Sequence, residues 1–126
     1  MKEIRFDDLE VGEEFGPLQY RLTEDKMAAY RNSVEDAEAA FATVGVKDYS
    51  RLITSKYTGA NFINAGHEAE YLNPPRPDKV LTVRGNLADK YIRRERKYVV
   101  METHTTDEDG REIVRAKTRL ILREGK

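Results

Sequence analysis

The chain has 126 residues, with Lys+Arg 22 against Asp+Glu 23 and a formal net charge of −1; this length suits one domain, and the balance lacks the basic excess of a protein that tracks nucleic-acid phosphates. Cysteine is absent and histidine occurs twice, at His67 and His104, which excludes disulfide scaffolds, thiolate nucleophiles and cysteine-held zinc or iron–sulfur sites. No apolar run approaches the roughly 20 residues that span a bilayer, and the opening MKEIRFDDLEVGEEF is acidic and polar where a secretory signal carries an apolar core, so a cytoplasmic protein with no membrane association is expected.

The first predicted element is a strand over residues 14–22, EFGPLQYRL, in which Phe15, Leu18, Tyr20 and Leu22 alternate imperfectly around the Gly16-Pro17 pair. Thr23 is a candidate N-cap, Glu24 and Asp25 occupy a first turn where carboxylates favour the helix dipole, and Met27, Tyr30 and Val34 recur at helical spacing. A short helix is therefore expected over 24–34. A second, longer helix is expected from Ser50 to about Phe62, with Ser50 as cap and Leu52, Ile53, Tyr57 and Ala60 on one stripe.

After Gly66 the pattern changes to period two, interrupted by the turn Asn73-Pro74-Pro75-Arg76-Pro77, and predicts strands over 67–72, 79–92, 96–107 and 112–123. Asp109-Gly110 suits a two-residue type I′ hairpin turn, which needs positive φ at both central residues. With Glu108 facing Arg111, Thr105 faces Val114, Thr103 faces Ala116, Met101 faces Thr118 and Val99 faces Leu120, a face that is apolar or small and belongs to the core. The opposite face pairs His104 with Arg115, Glu102 with Lys117, Val100 with Arg119 and Tyr98 with Ile121. Five strands with helices on one side make an α+β layer architecture in which the sheet wraps the second helix.

The dispersed glycines form neither GxGxxG nor a phosphate loop, and no HExxH spacing exists, so neither a cofactor nor a metal site is expected.

Two long stretches resemble the hot-dog fold acyl-thioester enzymes, and among them the MaoC-like (R)-specific enoyl-CoA hydratases and the fatty-acid-synthase-like dehydratase domains. FDDLEVGEEFGPLQYRLTEDKMAAYRNSVED resembles the family's opening strand and helix, and AGHEAEYLNPPRPDKVLTVRGNLADKYIRRERKYVVMETHTTDEDGREIV its sheet; where the family's turn usually reads Arg-Pro-Gly-Asp, this chain has Arg76-Pro77-Asp78-Lys79. The resemblance implies a single hot-dog domain over residues 1–126. The family's catalytic signature, approximately Gly-Asp-x-Asn-Pro-x-His, places an Asp and a His on one loop to hold the water that adds across an α,β-unsaturated thioester. Here the same place reads Glu35-Asp36-Ala37-Glu38-Ala39-Ala40-Phe41: Asp36 retains the acid, and Phe41 stands where the histidine belongs. A phenyl ring neither accepts nor donates a proton. Because some members of this group pair a subunit lacking the dyad with one that has it, the resemblance implies a homo-oligomer, or a heterodimer with a dyad-bearing hot-dog subunit, handling acyl-CoA or acyl-carrier-protein thioesters.

His67 is the in-chain candidate for a replacement base; strand alternation puts it with Ala69 and Tyr71 on a face toward the helix or a dimer seam, and the competing reading is a hydrogen-bonded structural histidine. His104 belongs to the charged face and reads as a solvated side chain. Arg93, Arg94 and Arg96 at a hairpin tip, with Arg76 and Lys79 in another turn, are candidates for coenzyme A phosphates or an acidic carrier surface, against the plainer reading of solvated turns. Phe41 and Tyr57 are candidate substrate contacts, and Tyr57, Phe62, Tyr71 and Tyr91 are candidate acyl-tunnel aromatics, against simple packing.

Three readings follow: a hydratase or dehydratase component with incomplete chemistry; a hot-dog thioester-binding or scaffold protein without catalysis; and a hot-dog thioesterase, which ranks last because residues 50–62, SRLITSKYTGANF, hold no acid to activate water.

Overall fold

A computed structural model of the protein describes residues 2–21, 48–76 and 78–123. The predicted helix over 24–34, Asp36 and Phe41 lie outside the described residues. In chain order the elements are β1 (Lys2–Glu3), a 3-10 turn (Phe6–Asp8), β2 (Glu14–Arg21), α1 (Asp48–Lys56), β3 (Tyr57–Thr58), β4 (Phe62–Tyr71), β5 (Val80–Arg93), β6 (Arg96–Asp107) and β7 (Glu112–Leu122). Five strands form one antiparallel sheet in the order β2-β5-β6-β7-β4, and β1 and β3 pair in parallel beside it.

The expected strand pairing is present: Thr105↔Val114, Thr103↔Ala116, Met101↔Thr118 and Val99↔Leu120 are partners, and all eight residues are buried. The turn that produces this register differs from the expected one. Three residues, Glu108, Asp109 and Gly110, separate Asp107 from Arg111, whose backbones are joined by an N–H···O bond of 3.0 Å. Gly110 alone among the turn residues has positive φ, at 83°, so this is a longer hairpin loop with glycine in the left-handed position and not a type I′ turn. The extra loop residue shifts the pairing by one, and a bulge after Thr105 shifts it back, with Thr106↔Glu112 leaving Ile113 unpaired. The bulge buries Ile113 and Val114 side by side against Leu81.

The conformation expected at Asp109-Gly110 occurs instead at Arg94-Glu95. Arg93 pairs with Arg96, and the two residues between them have φ of 51° and 66°. Neither has the side chain that favours this region, and each left-handed L-residue costs about 1–2 kcal/mol. Replacing Arg94-Glu95 by Asn-Gly is expected to raise stability by about 1 kcal/mol, read as a higher urea midpoint at unchanged slope.

The central helix is shorter than expected and starts earlier. It runs Asp48–Lys56, not from Ser50 to Phe62. It stops because Tyr57 and Thr58 pair in parallel with Lys2 and Glu3, and the Tyr57 ring turns into the core beside Phe15. Phe62 then opens β4, five residues ahead of the expected strand start; the bulge between Asn64 and Gly66 breaks the alternation there, with Asn64 Oδ1 accepting the Gly66 N–H.

Packing of α1 on the sheet centres on Leu52, which is fully buried together with Ile53. Leu52 sits against Gly85 of β5, where a Cβ would lie 2.8 Å from Leu52 Cδ1 and 2.9 Å from the Glu102 carbonyl oxygen. Absence of a side chain at residue 85 is what lets the helix approach the sheet. The remaining inward positions, Phe15, Val83, Leu87, Val99, Met101 and Leu120, complete one core with Ile4, Phe6 and Leu9 of the N-terminal segment.

Candidate functional site

At the N-terminal end of α1 a carboxylate is fully buried. Asp48 is 0% exposed, and its Oδ2 accepts the hydroxyl of Thr105, on β6, at 2.7 Å. Arg51, one turn on, places Nη1 3.6 Å from Asp48 Oδ1 and stacks its guanidinium 4.6 Å from the ring centre of Tyr20, on β2. Oδ1 of Asp48 and the hydroxyl of Tyr20 are both buried, and Tyr20, Asp48 and Arg51 form one hydrogen-bonding cluster. Burial drives the Asp48 pKa above its ordinary value, and the Thr105 hydrogen bond, the Arg51 charge and the hydrogen bond from Tyr20 oppose that rise. The Tyr20 phenol is pushed up by burial and then by the Asp48 charge, and Tyr71, at the end of β4, is raised by burial and the same charge. The helix therefore does carry an acid, and the expectation of an acid-free central helix fails because its first turn lies ahead of Ser50. Sequence reasoning missed Asp48 by taking Ser50 as the cap; the available signal was a capping-type residue four positions ahead of Leu52.

His67 faces the helix side of the sheet, partnered with Thr118 in the β4–β7 ladder. Its Nδ1 lies 2.9 Å from Thr118 Oγ1, and its Nε2 is buried without a partner among the described residues. With Nδ1–H donating to the threonine, Nε2 is left as a lone-pair acceptor. Asp48 bonds at Thr105 and His67 at Thr118; Thr118 is aligned with Met101, four residues along β6 from Thr105, so the two polar sites occupy different stretches of one face. His104 is exposed on the opposite face, aligned with Arg84 and Arg115.

Arg93, Arg94 and Arg96 are exposed at the β5–β6 hairpin tip. Arg76 and Lys79 are engaged elsewhere: Lys79 Nζ lies 3.1 Å and Arg76 Nη1 4.0 Å from Asp109 Oδ2, which ties two turns together. The four aromatic residues do not converge on one tunnel. Tyr91 stacks on Tyr98 at 4.9 Å on the outer face, Tyr71 lies on the inner face of β4, Phe62 packs against the core, and Tyr57 is buried with its hydroxyl donating to Glu13.

Glu13 also holds Lys56 Nζ at 2.8 Å, locking the segment before β2 to the end of α1. Burial alone would raise the Glu13 pKa, but the hydrogen bonds from Lys56 and Tyr57 outweigh it and hold the group below its ordinary value. A carboxylate depressed in the folded state contributes stability above its unfolded pKa and loses it as pH falls through the folded pKa. The stability gap between the parent chain and Glu13→Gln is thus expected to be full at neutral pH and to close below the ordinary glutamate range, as followed by urea titrations across that range.

No protein-family model matches the chain, and no curated protein does. Solved structures match it along nearly its whole length. A MaoC-like dehydratase from Rhodospirillum rubrum has TM-score 0.72 at 22% identity, covering 95% of this chain and 97% of its own. An (R)-hydratase from Pseudomonas aeruginosa has TM-score 0.76 at 18% identity, covering 98% and 88%. One chain of a 3R-hydroxyacyl-ACP dehydratase complex from Mycobacterium tuberculosis has TM-score 0.68 at 17% identity, covering 88% and 96%. The chain has the hot-dog fold, as its sequence predicts. Among the described residues no helix is long and apolar enough to cross a membrane.

Proposed function

We propose that the protein is a MaoC-like hydratase/dehydratase component that binds acyl-CoA or acyl-carrier-protein thioesters in the cytoplasm and works as the substrate-holding subunit of a pair. The observation that carries this reading is the match along 95% and 98% of the chain to a MaoC-like dehydratase and an (R)-hydratase, combined with Phe41 at the place of the family's catalytic histidine. A retained fold with a broken dyad fits a subunit that keeps the acyl-binding frame and obtains proton transfer from a partner. The match to a chain of a dehydratase complex supports pairing, and β2 and β4 are the sheet's edge strands, the elements that natural sheets cover or pair.

Asp36 is the retained acid of this reading, and His67 the in-chain alternative base; its pinned Nδ1 and unpartnered Nε2 support that role. Arg93, Arg94 and Arg96 are the proposed contacts for the coenzyme A phosphates or an acidic carrier, and Phe41 the proposed acyl contact; Tyr57, a buried core ring tied to Glu13, is not one. The purified chain is expected to bind crotonyl-CoA in calorimetry while hydrating it about 10²–10⁴-fold more slowly than a dyad-bearing hydratase. Binding without turnover, with turnover restored by a dyad-bearing hot-dog chain, supports the paired subunit. Absence of any thioester binding overturns it in favour of a scaffold without acyl ligands.

A further inference from the structure

The outer face of the sheet, which α1 does not cover, is ordered in rows by the strand registers. At one end Ile63, Ile121, Tyr98 and Tyr91 are aligned across β4, β7, β6 and β5, and Ile63 is 43% exposed. Toward the other end lie two charged rows. In one, Glu68, Lys117 and Glu102 are aligned with Asn86; in the next, Glu70, Arg115 and His104 are aligned with Arg84. Arg115 is held within its own chain by Glu112, at 2.7 and 2.9 Å. Glu70, Arg84, Glu102 and Lys117 are in no ion pair or side-chain hydrogen bond among the described residues. Shallow depressions of about 470 and 380 Å³ run between these side chains and leave room for others arriving from a facing surface.

Two sheet faces stack about 10 Å apart, and a face that meets its own copy must bring opposite charges together about a two-fold axis. An axis along β7 sets Lys117 on Lys117, and one along β6 sets Glu102 on Glu102 and Arg115 on Arg84. An axis across the strands lays the apolar row on the row of Arg115 and His104. An axis parallel to the strands and midway between β6 and β7 avoids all of these clashes. About it, Lys117 of each copy meets Glu102 of the other, Glu70 meets Arg84, and Ile121 and Ile63 meet Tyr98 and Tyr91. Arg115 over His104 brings two basic groups together, and Glu112 offsets the first of them. We propose that the outer face is a self-association surface on which a second copy of this chain stacks back to back about that axis. Four strands about 4.8 Å apart and four rows about 6.8 Å apart cover about 500 Å² per copy. The total, about 1,000 Å², lies at the lower edge of specific interfaces, so association in the micromolar range is expected. The surface is independent of thioester binding and of pairing at the β2 and β4 edges; two edge-paired dimers stacked in this way make a tetramer.

Sedimentation equilibrium of the full chain, well above micromolar concentration, tests the surface. Glu102→Lys and Lys117→Glu each set like charges across the axis, and each alone is expected to halve the mass of the parent assembly. Mixed in equal amounts they are expected to restore it, because the two lysines of one chain then face the two glutamates of the other. Mixing does not repair a defect that lies within each chain, so restoration separates assembly from folding. If either variant fails to fold, as read by circular dichroism, Glu70→Arg and Arg84→Glu form the second pair, with the same expectation. A parent chain that has the mass of the single variants, or a mixture that stays at their mass, overturns the proposal. Crotonyl-CoA binding is measured separately and bears on the proposed function alone, so either reading can fail while the other stands.

Discussion

Leu120→Ala is expected to cost about 2–5 kcal/mol of folding stability. Leu120 is 0% exposed on the inner face of β7, opposite Val99 on β6 and Asn64 on β4, and it belongs to the core that α1 covers. Truncation removes buried methyl groups and leaves a cavity that surrounding strands, held by ladders on both sides, close only in part. Lys117→Ala, on the exposed outer face of the same strand, is the matched control and is expected to cost less than about 1 kcal/mol. Guanidinium unfolding of both variants at unchanged slope gives the comparison. A loss under about half a kcal/mol for Leu120→Ala would mean that the two faces of the sheet are exchanged.

Phe41→His is expected to raise hydration of a crotonyl thioester by about 10²–10⁴-fold over the parent chain, the usual worth of a positioned acid–base group. The substitution completes the spacing Asp36-x₄-His of the family signature, and imidazole, with an unperturbed pKa of about 6.5, suits proton transfer near neutrality. One carboxylate at Asp36 can orient a water, but relaying its proton to the α-carbon is work for a second group. Robust turnover by the parent chain would instead place the base elsewhere, and His67→Ala then separates His67 from other candidates. If neither form turns over although both bind thioester, the chain is a binding subunit that no longer supports chemistry.

Strand faces and register were legible in the sequence because alternation is a property of neighbouring residues: Val99, Met101, Thr103 and Thr105 face Val114, Ala116, Thr118 and Leu120 whichever loop joins the strands. The chemistry of that loop was not legible. A two-residue turn and a three-residue turn followed by a bulge at Ile113 give the same register beyond Thr105, and the second is held by Ile113 and Val114 packing on Leu81 and by the Asp107 carboxylate accepting the Asp109 and Arg111 N–H groups. The left-handed pair at Arg94-Glu95 carried no Asn or Gly to mark it; the long β5–β6 ladder imposes it.

The sequence by itself thus determined the sheet, its inner face and the presence of a helix that the sheet covers, all of which follow from local period. Only the tertiary structure decided where α1 begins and ends and what its first turn does. Lys56 ends the helix because Tyr57 and Thr58 find partners in Lys2 and Glu3, and Asp48 becomes a buried, hydrogen-bonded carboxylate because Thr105, 57 residues away, meets it. Such partners lie far beyond any window over which propensity or periodicity acts, so burial of a charge and the pairing of a short strand emerge only when the chain is folded.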